Sequence, residues 1–295
     1  MTAMNLSLRE VAESLTGARL VGDGATLCAR VHSDTRSLQP GDLFVALKGE
    51  RFDAASFLLD AAPKGAVAAL CDASAAAQLT ASGLPGVLVP DAKIGLGELA
   101  RQWRRRFAGP LIAVTGSNGK TTVTQMIASI LRVWRGDAAL ATEGNFNNDI
   151  GLPLTLLRLR PSTQVAVVEL GMNHPGEIAY LAGIAEPTVA LVNNAQREHQ
   201  EFMASVEAVA RENGSVLAAL PAGGVAVFPA GDDYSALWRQ LAAGRRVVQF
   251  GDPAAGAEVA DRRADWRQDH WAGAAATAAG PLAFRTPGGR RPNAC

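Results

Sequence analysis

A continuous apolar run, Leu111 to Val114, leads directly into the glycine-rich stretch Thr115-Gly116-Ser117-Asn118-Gly119-Lys120-Thr121-Thr122. An apolar run without alternation suits a strand buried on both faces of a parallel sheet. A helix is expected next, from Lys120 to about Trp134, with Met126, Ile127, Ile130, Leu131 and Trp134 on one side. Parallel strands must be joined by crossovers, so strand, loop and helix in this order commit the chain to an α/β architecture. Further core strands are expected at Val165–Leu170, Val189–Val192, Val225–Phe228 and Val247–Phe250, with a helix from Val206 to Leu220. That alternation gives a mostly parallel sheet with helices on both faces.

The glycine-rich stretch has the chemistry of a phosphate cradle. Gly116 and Gly119 let the chain curl without a Cβ in the way. The curled amides and the helix N-terminus face an anion. Lys120 adds a point charge for β- and γ-phosphates, and the Thr121 hydroxyl suits Mg²⁺. The common spacing would place glycine at 114, where this chain has Val114. The Gly-Lys-Thr end is intact, so residues 115–122 are expected to bind ATP or a close relative.

Three further groups fall at the ends of expected core strands. The run Val167-Val168-Glu169-Leu170-Gly171 places a carboxylate at the carboxyl end of a buried strand, where open α/β sheets bind ligands. Glu169 suits a metal ligand there, or a helix cap. The strand at 189–192 leads into Asn193-Asn194-Ala195-Gln196-Arg197-Glu198-His199. His199 at that edge could complete a metal shell with Glu169, or be a partly exposed loop histidine. The loop Thr142-Glu143-Gly144-Asn145-Phe146-Asn147-Asn148 suits sugar and peptide recognition through its amides. Turn formation explains the same residues equally well.

Before the phosphate loop, residues 1 to about 90 read as a small α/β module. Leu8–Leu15 reads as a short helix, and Leu43–Leu47, Gly65–Cys71 and Gly86–Val89 as strands. Residues Ile94–Phe107 read as a helix with Leu96, Leu99, Ala100, Trp103 and Phe107 on one face. Arg101, Arg104, Arg105 and Arg106 occupy most of the rest, as a solvated face rather than an anion site. From about Pro253 the composition turns to Ala, Gly and Arg, and an irregular tail or an interrupted domain is expected.

Bulk properties narrow the partners. Twenty-eight basic residues balance 28 acidic ones among 295, which argues against duplex nucleic acid held by bulk charge. The three cysteines, Cys28, Cys71 and Cys295, form no CxxC pair, so neither a disulfide framework nor a zinc ribbon is expected. The beginning of the chain lacks a signal-peptide pattern, and no apolar run is long enough to span a bilayer. A cytoplasmic monomer without a membrane span is the expectation.

Taken in order, the motifs resemble the Mur ligases. The resemblance rests on residues 115–122, Glu-Gly-Asn-Phe-Asn-Asn at 143–148, Val-Glu-Leu-Gly-Met-Asn at 168–173, and Asn193-Asn194 with His199. Ser33-Asp34-Thr35-Arg36, Pro40-Gly41-Asp42-Leu43-Phe44 and Gly49-Glu50-Arg51-Phe52-Asp53 extend it toward the amino terminus. It runs from about Leu8 to about Gly251. It is strongest to the branch that joins D-alanyl-D-alanine to a UDP-N-acetylmuramoyl-tripeptide in peptidoglycan precursor synthesis.

The resemblance implies a UDP-substrate domain at 1–91 and an ATP-binding central domain at 92–295, without the Rossmann-like third domain of that branch. It implies an acyl-phosphate mechanism with ATP and Mg²⁺. Lys120, Glu169 and His199 would be catalytic, with Thr121, Glu169 and His199 on metal. Ser33, Arg36, Arg51, Asn147 and Asn148 would face the UDP-substrate. A sister Mur or folylpolyglutamate ligase, or a non-catalytic nucleotide or UDP-sugar binder, are the alternatives. Some relatives carry a carbamylated lysine after the histidine. Here that stretch reads Arg211-Glu212-Asn213-Gly214, and no lysine follows Lys120.

Overall fold

The structure is a computed structural model that describes residues 3–49, 53–197, 205–267, 270–277 and 280–287. The chain opens with β1 (Leu6–Ser7), α1 (Leu8–Glu13), β2 (Arg19–Val21), β3 (Leu27–Cys28), β4 (Arg30–His32) and β5 (Asp42–Ala46). Next come α2 (Leu58–Ala61), β6 (Ala66–Asp72), α3 (Ala76–Ser82), β7 (Gly86–Val89) and α4 (Ala92–Arg104). β8 (Leu111–Thr115), α5 (Lys120–Arg135), β9 (Ala139–Ala141), α6 (Gly151–Leu156), β10 (Val165–Glu169), α7 (Glu177–Ala185) and β11 (Val189–Val192) follow. The last elements are α8 (Val206–Ala218), β12 (Val225–Pro229), α9 (Ser235–Leu241), β13 (Arg246–Gly251), β14 (Val259–Arg267), β15 (His270–Thr277) and β16 (Gly280–Pro287). No helix among the described residues is long and apolar enough to cross a membrane.

Two compact units divide the chain. The first comprises Met1–Leu111, Thr124–Met172 and Tyr180–Glu186, and the second Ile112–Val123, Asn173–Ala179 and Pro187–Cys295. In the first, five strands run in the order β2-β7-β6-β5-β4, parallel except for β2. Every residue of β5 is buried, Asp42 included. That is tolerable because Arg30 reaches Asp42 through Nε and a terminal nitrogen at 2.8 and 2.6 Å, and the Gln39 N–H donates to it at 2.7 Å. Phe44, Leu58, Leu79 and Leu88 close the core beside this sheet. Burial pushes the Cys28 and Cys71 thiols up to about 12, so both are inert apolar filler rather than nucleophiles. Cys295 lies outside the described residues.

Arg101, Arg105 and Arg106, on and just after α4, form the expected solvated face, and Arg104 departs from it. Arg104 is only 6% exposed. Its guanidinium donates to the carbonyls of Ala185, Phe107 and Glu186 at 2.9, 2.7 and 3.0 Å. Its fork satisfies carbonyls at the ends of α4 and α7 that have no helical partner. Arg101 and Arg105 both pair with the Glu186 carboxylate, and Arg106 lies over the Trp103 ring. Glu186 has φ of +42°, so the chain leaves α7 through a left-handed residue that two arginines hold in place.

Of the apolar side of α5 named from the sequence, Leu131 is buried and Ile127 half-buried, while Met126, Ile130 and Trp134 are exposed. Thr124, Ala128 and Leu131 face inward, at spacings of four and three residues. Met126, Ile130, Val133 and Trp134 lie on the other side and are exposed, Val133 at 90%. The helix carries two apolar stripes, and the small side chains of Thr124 and Ala128 allow close approach on one of them. Periodicity shows that a stripe exists but not which stripe meets a neighbour.

In the second unit, strands run in the order β16-β15-β14-β13-β12-β11-β8. Pairings from β8 to β14 are parallel, and those of β14 with β15 and β15 with β16 are antiparallel. Residues 259–267, 270–277 and 280–287 therefore form a strand extension, where the composition suggested an irregular tail. Main-chain pairing suffices for such strands, and an Ala- and Gly-rich sequence carries little alternation to betray them. In the first unit β9 pairs parallel with β10, whose five residues are all buried.

Two tests follow from the packing. Arg104→Ala should lower the unfolding free energy by about 2–4 kcal/mol, since three carbonyls lose a charged donor. Arg106→Ala should stay within about 0.5 kcal/mol. Equal effects in urea titrations would refute the buried clamp. The second concerns His32, whose Nε2 lies 2.7 Å from Ser37 Oγ. Burial, then the nearby Arg30, hold its pKa below the ordinary value. The folded state thus favours neutral imidazole. Its contribution is complete above the unfolded value of about 6.5 and is lost as pH falls through the folded value. Unfolding midpoints from pH 7.5 to 5 should fall more steeply for the wild type than for His32→Gln.

Candidate functional site: a clamped phosphate loop and a buried carboxylate

The loop at 115–122 has a defined curl. Gly116 has φ of +134° and Gly119 of +76°, both in the left-handed half of the map where a side chain is strained. A Cβ on Gly116 would lie 3.0 Å from the Asn194 backbone nitrogen and from the Asn193 Cβ. Parallel pairing of β8 with β11, with Thr115 opposite Val192, sets the two following loops side by side. Thr115 is fully buried, and its hydroxyl donates to Asn213 Oδ1 of α8 at 2.7 Å. The Asn213 Nδ2 is buried with no hydrogen-bond partner among the described residues.

The rest of the loop is held by residues 193–196. The Ser117 N–H donates to the Asn194 carbonyl at 3.1 Å, and the Asn118 N–H to Asn194 Oδ1 at 2.9 Å. The Asn118 carbonyl accepts from Asn193 Nδ2 at 2.6 Å and Asn194 Nδ2 at 3.0 Å. Gln196 accepts from Asn118 Nδ2 at 2.6 Å and exchanges two hydrogen bonds with the Ser117 hydroxyl. Lys120 donates through Nζ to the carbonyls of Gly116 at 2.7 Å and Ser117 at 3.1 Å. Its ammonium is therefore stationed over the loop. Thr121 and Thr122 are exposed on the first turn of α5. All eight loop residues named from the sequence thus form one structure, and donors for an anion concentrate at the start of α5.

Glu169 is the centre of a second group, in the first unit. It ends β10 and is 1% exposed. Its N–H donates to the Thr142 hydroxyl at 3.0 Å, and its Oε1 accepts from Asn147 Nδ2 at 2.7 Å. The Thr142 carbonyl accepts from Gln125 of α5 at 3.1 Å. The two neighbouring asparagines divide their work. Asn147 turns toward the carboxylate. Asn148 uses its Oδ1 on the N–H groups of Gly151 at 2.8 Å and Ile150 at 3.3 Å, which is turn chemistry at the start of α6. Lys93 pairs with Asp149 at 2.8 Å and ties the same loop to α4.

Ser33 is half-buried just after β4. The exposed Arg36 is gripped by Asp34 at 2.6 Å, and this hydrogen-bonded pairing holds the Asp34 carboxyl well below the usual carboxylate range. Glu212 accepts from the Ile178 N–H at 2.8 Å, which fixes it at the start of α7. His199 and Arg51 lie outside the described residues. No group of three or more His, Cys, Asp or Glu able to hold a metal occurs among the described residues. The oxygen donors that do occur, the Thr121 hydroxyl and the Glu169 carboxylate, match the preference of Mg²⁺ for hard ligands. Sequence reasoning did not assign roles to Gln196 or Asn213. The signal for Gln196 is the polar run after β11, which also contains the histidine.

A phosphate loop opening a helix after a parallel strand defines an α/β nucleotide-site protein. The particular kind follows from comparison. The Mur ligase middle domain matches residues 114–277, and the Mur ligase family catalytic domain matches residues 29–104. The protein belongs to the Mur ligase family. It is 41% identical over 255 residues to the UDP-N-acetylmuramoyl-tripeptide–D-alanyl-D-alanine ligase of Escherichia coli (strain K12), covering 86% of this chain and 54% of that one. It superposes on MurF from Acinetobacter baumannii with a TM-score of 0.87 at 31% identity, covering 97% of this chain and 62% of that one. MurF ligase from Thermotoga maritima, a structure in complex with ADP, gives a TM-score of 0.73 at 26% identity, with 88% and 58% covered. The chain thus spans about half the length of the curated relative it matches.

The loop geometry yields a direct test. Gly116→Ala must place a Cβ at a strained φ and against backbone, so stability should fall by about 1–3 kcal/mol. Gly136→Ala is the control, with a positive φ but open space around it. A larger loss for Gly136→Ala than for Gly116→Ala in thermal melts would refute the packed-loop account.

Proposed function

We propose that the protein is an ATP-dependent ligase that joins D-alanyl-D-alanine to a UDP-N-acetylmuramoyl-tripeptide. The observation that carries this reading is the clamped loop at 115–122 with Lys120 stationed over it, in a chain whose relatives are named for that reaction. In this reading residues 1–91 take the UDP-substrate, with Ser33, Arg36 and Arg51 as contacts, and residues 92–295 take ATP.

The chemistry is an acyl-phosphate route. A carboxylate oxygen of the tripeptide attacks the γ-phosphorus, and the bond to the β-bridging oxygen breaks to release ADP. The dipeptide amine then attacks the acyl carbon. The new C–N bond forms, the C–O bond to phosphate breaks, and the amine proton passes to solvent or a base. Carboxylate and γ-phosphate are both anionic, so their approach needs positive charge in place beforehand. Lys120 supplies one such charge, and it must turn from the Gly116 and Ser117 carbonyls toward the γ-phosphate. By the resemblance, Thr121 would hold the Mg²⁺ on ATP, and Glu169 and His199 would hold a second one; each ion would neutralise phosphate charge when bound. Asn147 orients the Glu169 carboxylate by donating to one of its oxygens, which leaves the carboxylate in a fixed rotamer. Asn147 and Asn148 also face the UDP-substrate in this reading.

Purified protein should bind ADP with Mg²⁺ in calorimetry and, supplied with ATP, release phosphate only when both the UDP-tripeptide and D-alanyl-D-alanine are present. Lys120→Ala should abolish nucleotide binding. Glu169→Gln should retain the fold and lower phosphate release by at least about 100-fold. Binding without any phosphate release would overturn the ligase reading, and release independent of the dipeptide would point to a different acceptor.

A further inference from the structure

The structure assigns Gln196 as a positioning residue for the phosphate loop. The assignment deepens the nucleotide role proposed above and rests on it.

Peptide geometry makes the argument. In a trans peptide the carbonyl and the following N–H point in opposite directions. The Asn118 carbonyl is drawn toward the 193–196 loop by two side-chain amides, Asn193 Nδ2 and Asn194 Nδ2. The Gly119 N–H must therefore point away from that loop, toward the side where α5 begins. The N–H groups of Ser117 and Asn118 are already committed to Asn194. An incoming phosphate thus meets donors from Gly119 onward, and their direction depends on how Asn118 is held.

Asn118 is held at both ends. Its backbone is fixed by Asn193 and Asn194, and its side chain by Gln196 Oε1 at 2.6 Å. Without the Gln196 acceptor, the Asn118 amide loses this partner and could swing onto a phosphate or onto its own backbone, as asparagine in a turn readily does. Gln196 also carries the Ser117 hydroxyl on its backbone, so one residue grips two successive loop positions. A side chain that touches no substrate thereby sets the direction of the donors that do. Electrostatic stabilisation is strongest when donors need no reorganisation on binding, and this clamp supplies that condition.

The test uses Gln196→Met, which keeps the length of the side chain and removes only its acceptor. Three quantities are measured on the full chain: ADP–Mg²⁺ affinity by calorimetry, amide exchange at Ser117 and Asn118 without nucleotide, and the unfolding midpoint. Expected results are an affinity loss of about tenfold, faster exchange at both amides and an unchanged midpoint. Asn118→Ala should cost a similar factor. The double variant should be no weaker than either single one, because both remove the same bond. Gln196→Glu restores the acceptor and should restore slow exchange. Unchanged affinity in Gln196→Met, or strictly additive losses in the double variant, would overturn the assignment. If the wild type binds no nucleotide, the function proposed above fails instead. Exchange then decides Gln196 alone, with unchanged rates counting against it.

Discussion

Parallel pairing of β8 with β11 is the constraint on which the candidate site rests. With Thr115 opposite Val192, the chain leaves both strands at the same level. Residues 116–119 and 193–196 then run beside each other, close enough for the Asn118 N–H, carbonyl and side-chain NH₂ each to find a partner. A slip of one residue would turn each side chain to the other face of the sheet and dissolve that arrangement. The four register pairs from Val189 to Val192 are apolar against apolar except at the last, where Thr115 sends its hydroxyl to Asn213. Core burial fixes the register, and the register fixes the loop.

Much of this was legible in the sequence, and the reason is physical. Glycines at 116 and 119 are required by backbone conformation, a property of single positions. The run from Leu111 to Val114 is required by burial on two faces. Both constraints leave their mark on residue type. Partner choice leaves a weaker mark. Arg104, Arg105 and Arg106 are consecutive, yet Arg104 is buried on three carbonyls while Arg105 pairs with Glu186 at the surface. Helix phase puts Arg104 on the side of buried Ala100, and the turn after α7 supplies its carbonyls. The same holds for α5, where the inward stripe is the one with the small side chains of Thr124 and Ala128. For β14–β16 the pairing is carried by main-chain groups, so composition was silent.

Asn147 and Asn148 show how two adjacent residues of one type separate into different tasks. From the sequence, recognition and turn formation explained the pair equally well. In the structure Asn148 spends its oxygen on the start of α6, whereas Asn147 donates to Glu169. The turn made by Asn148 is what places Asn147 opposite the end of β10. The Asn147 carbonyl also accepts from the Gly171 N–H at 2.8 Å, and a Cβ on Gly171 would lie 2.9 Å from the Asn147 side chain. The turn made by Asn148 and the carboxylate contact made by Asn147 are consecutive links of one arrangement.

Each of the two groups uses an amide side chain to hold a charged or dipolar element in one orientation. Asn147 holds the Glu169 carboxylate, and Gln196 holds Asn118 and through it the 118–119 peptide. Amides suit this work because they donate and accept without adding net charge. An arginine or lysine in place of Asn147 would offset the charge of Glu169. An aspartate or glutamate in place of Gln196 would bring negative charge to a loop built for anions. Neutral hydrogen-bonding residues leave the charge of Lys120 and Glu169 for ligands. In the function proposed above, the uncharged amides of Asn147, Asn193, Asn194 and Gln196 therefore suit the chemistry, beyond the ordinary composition of surface loops.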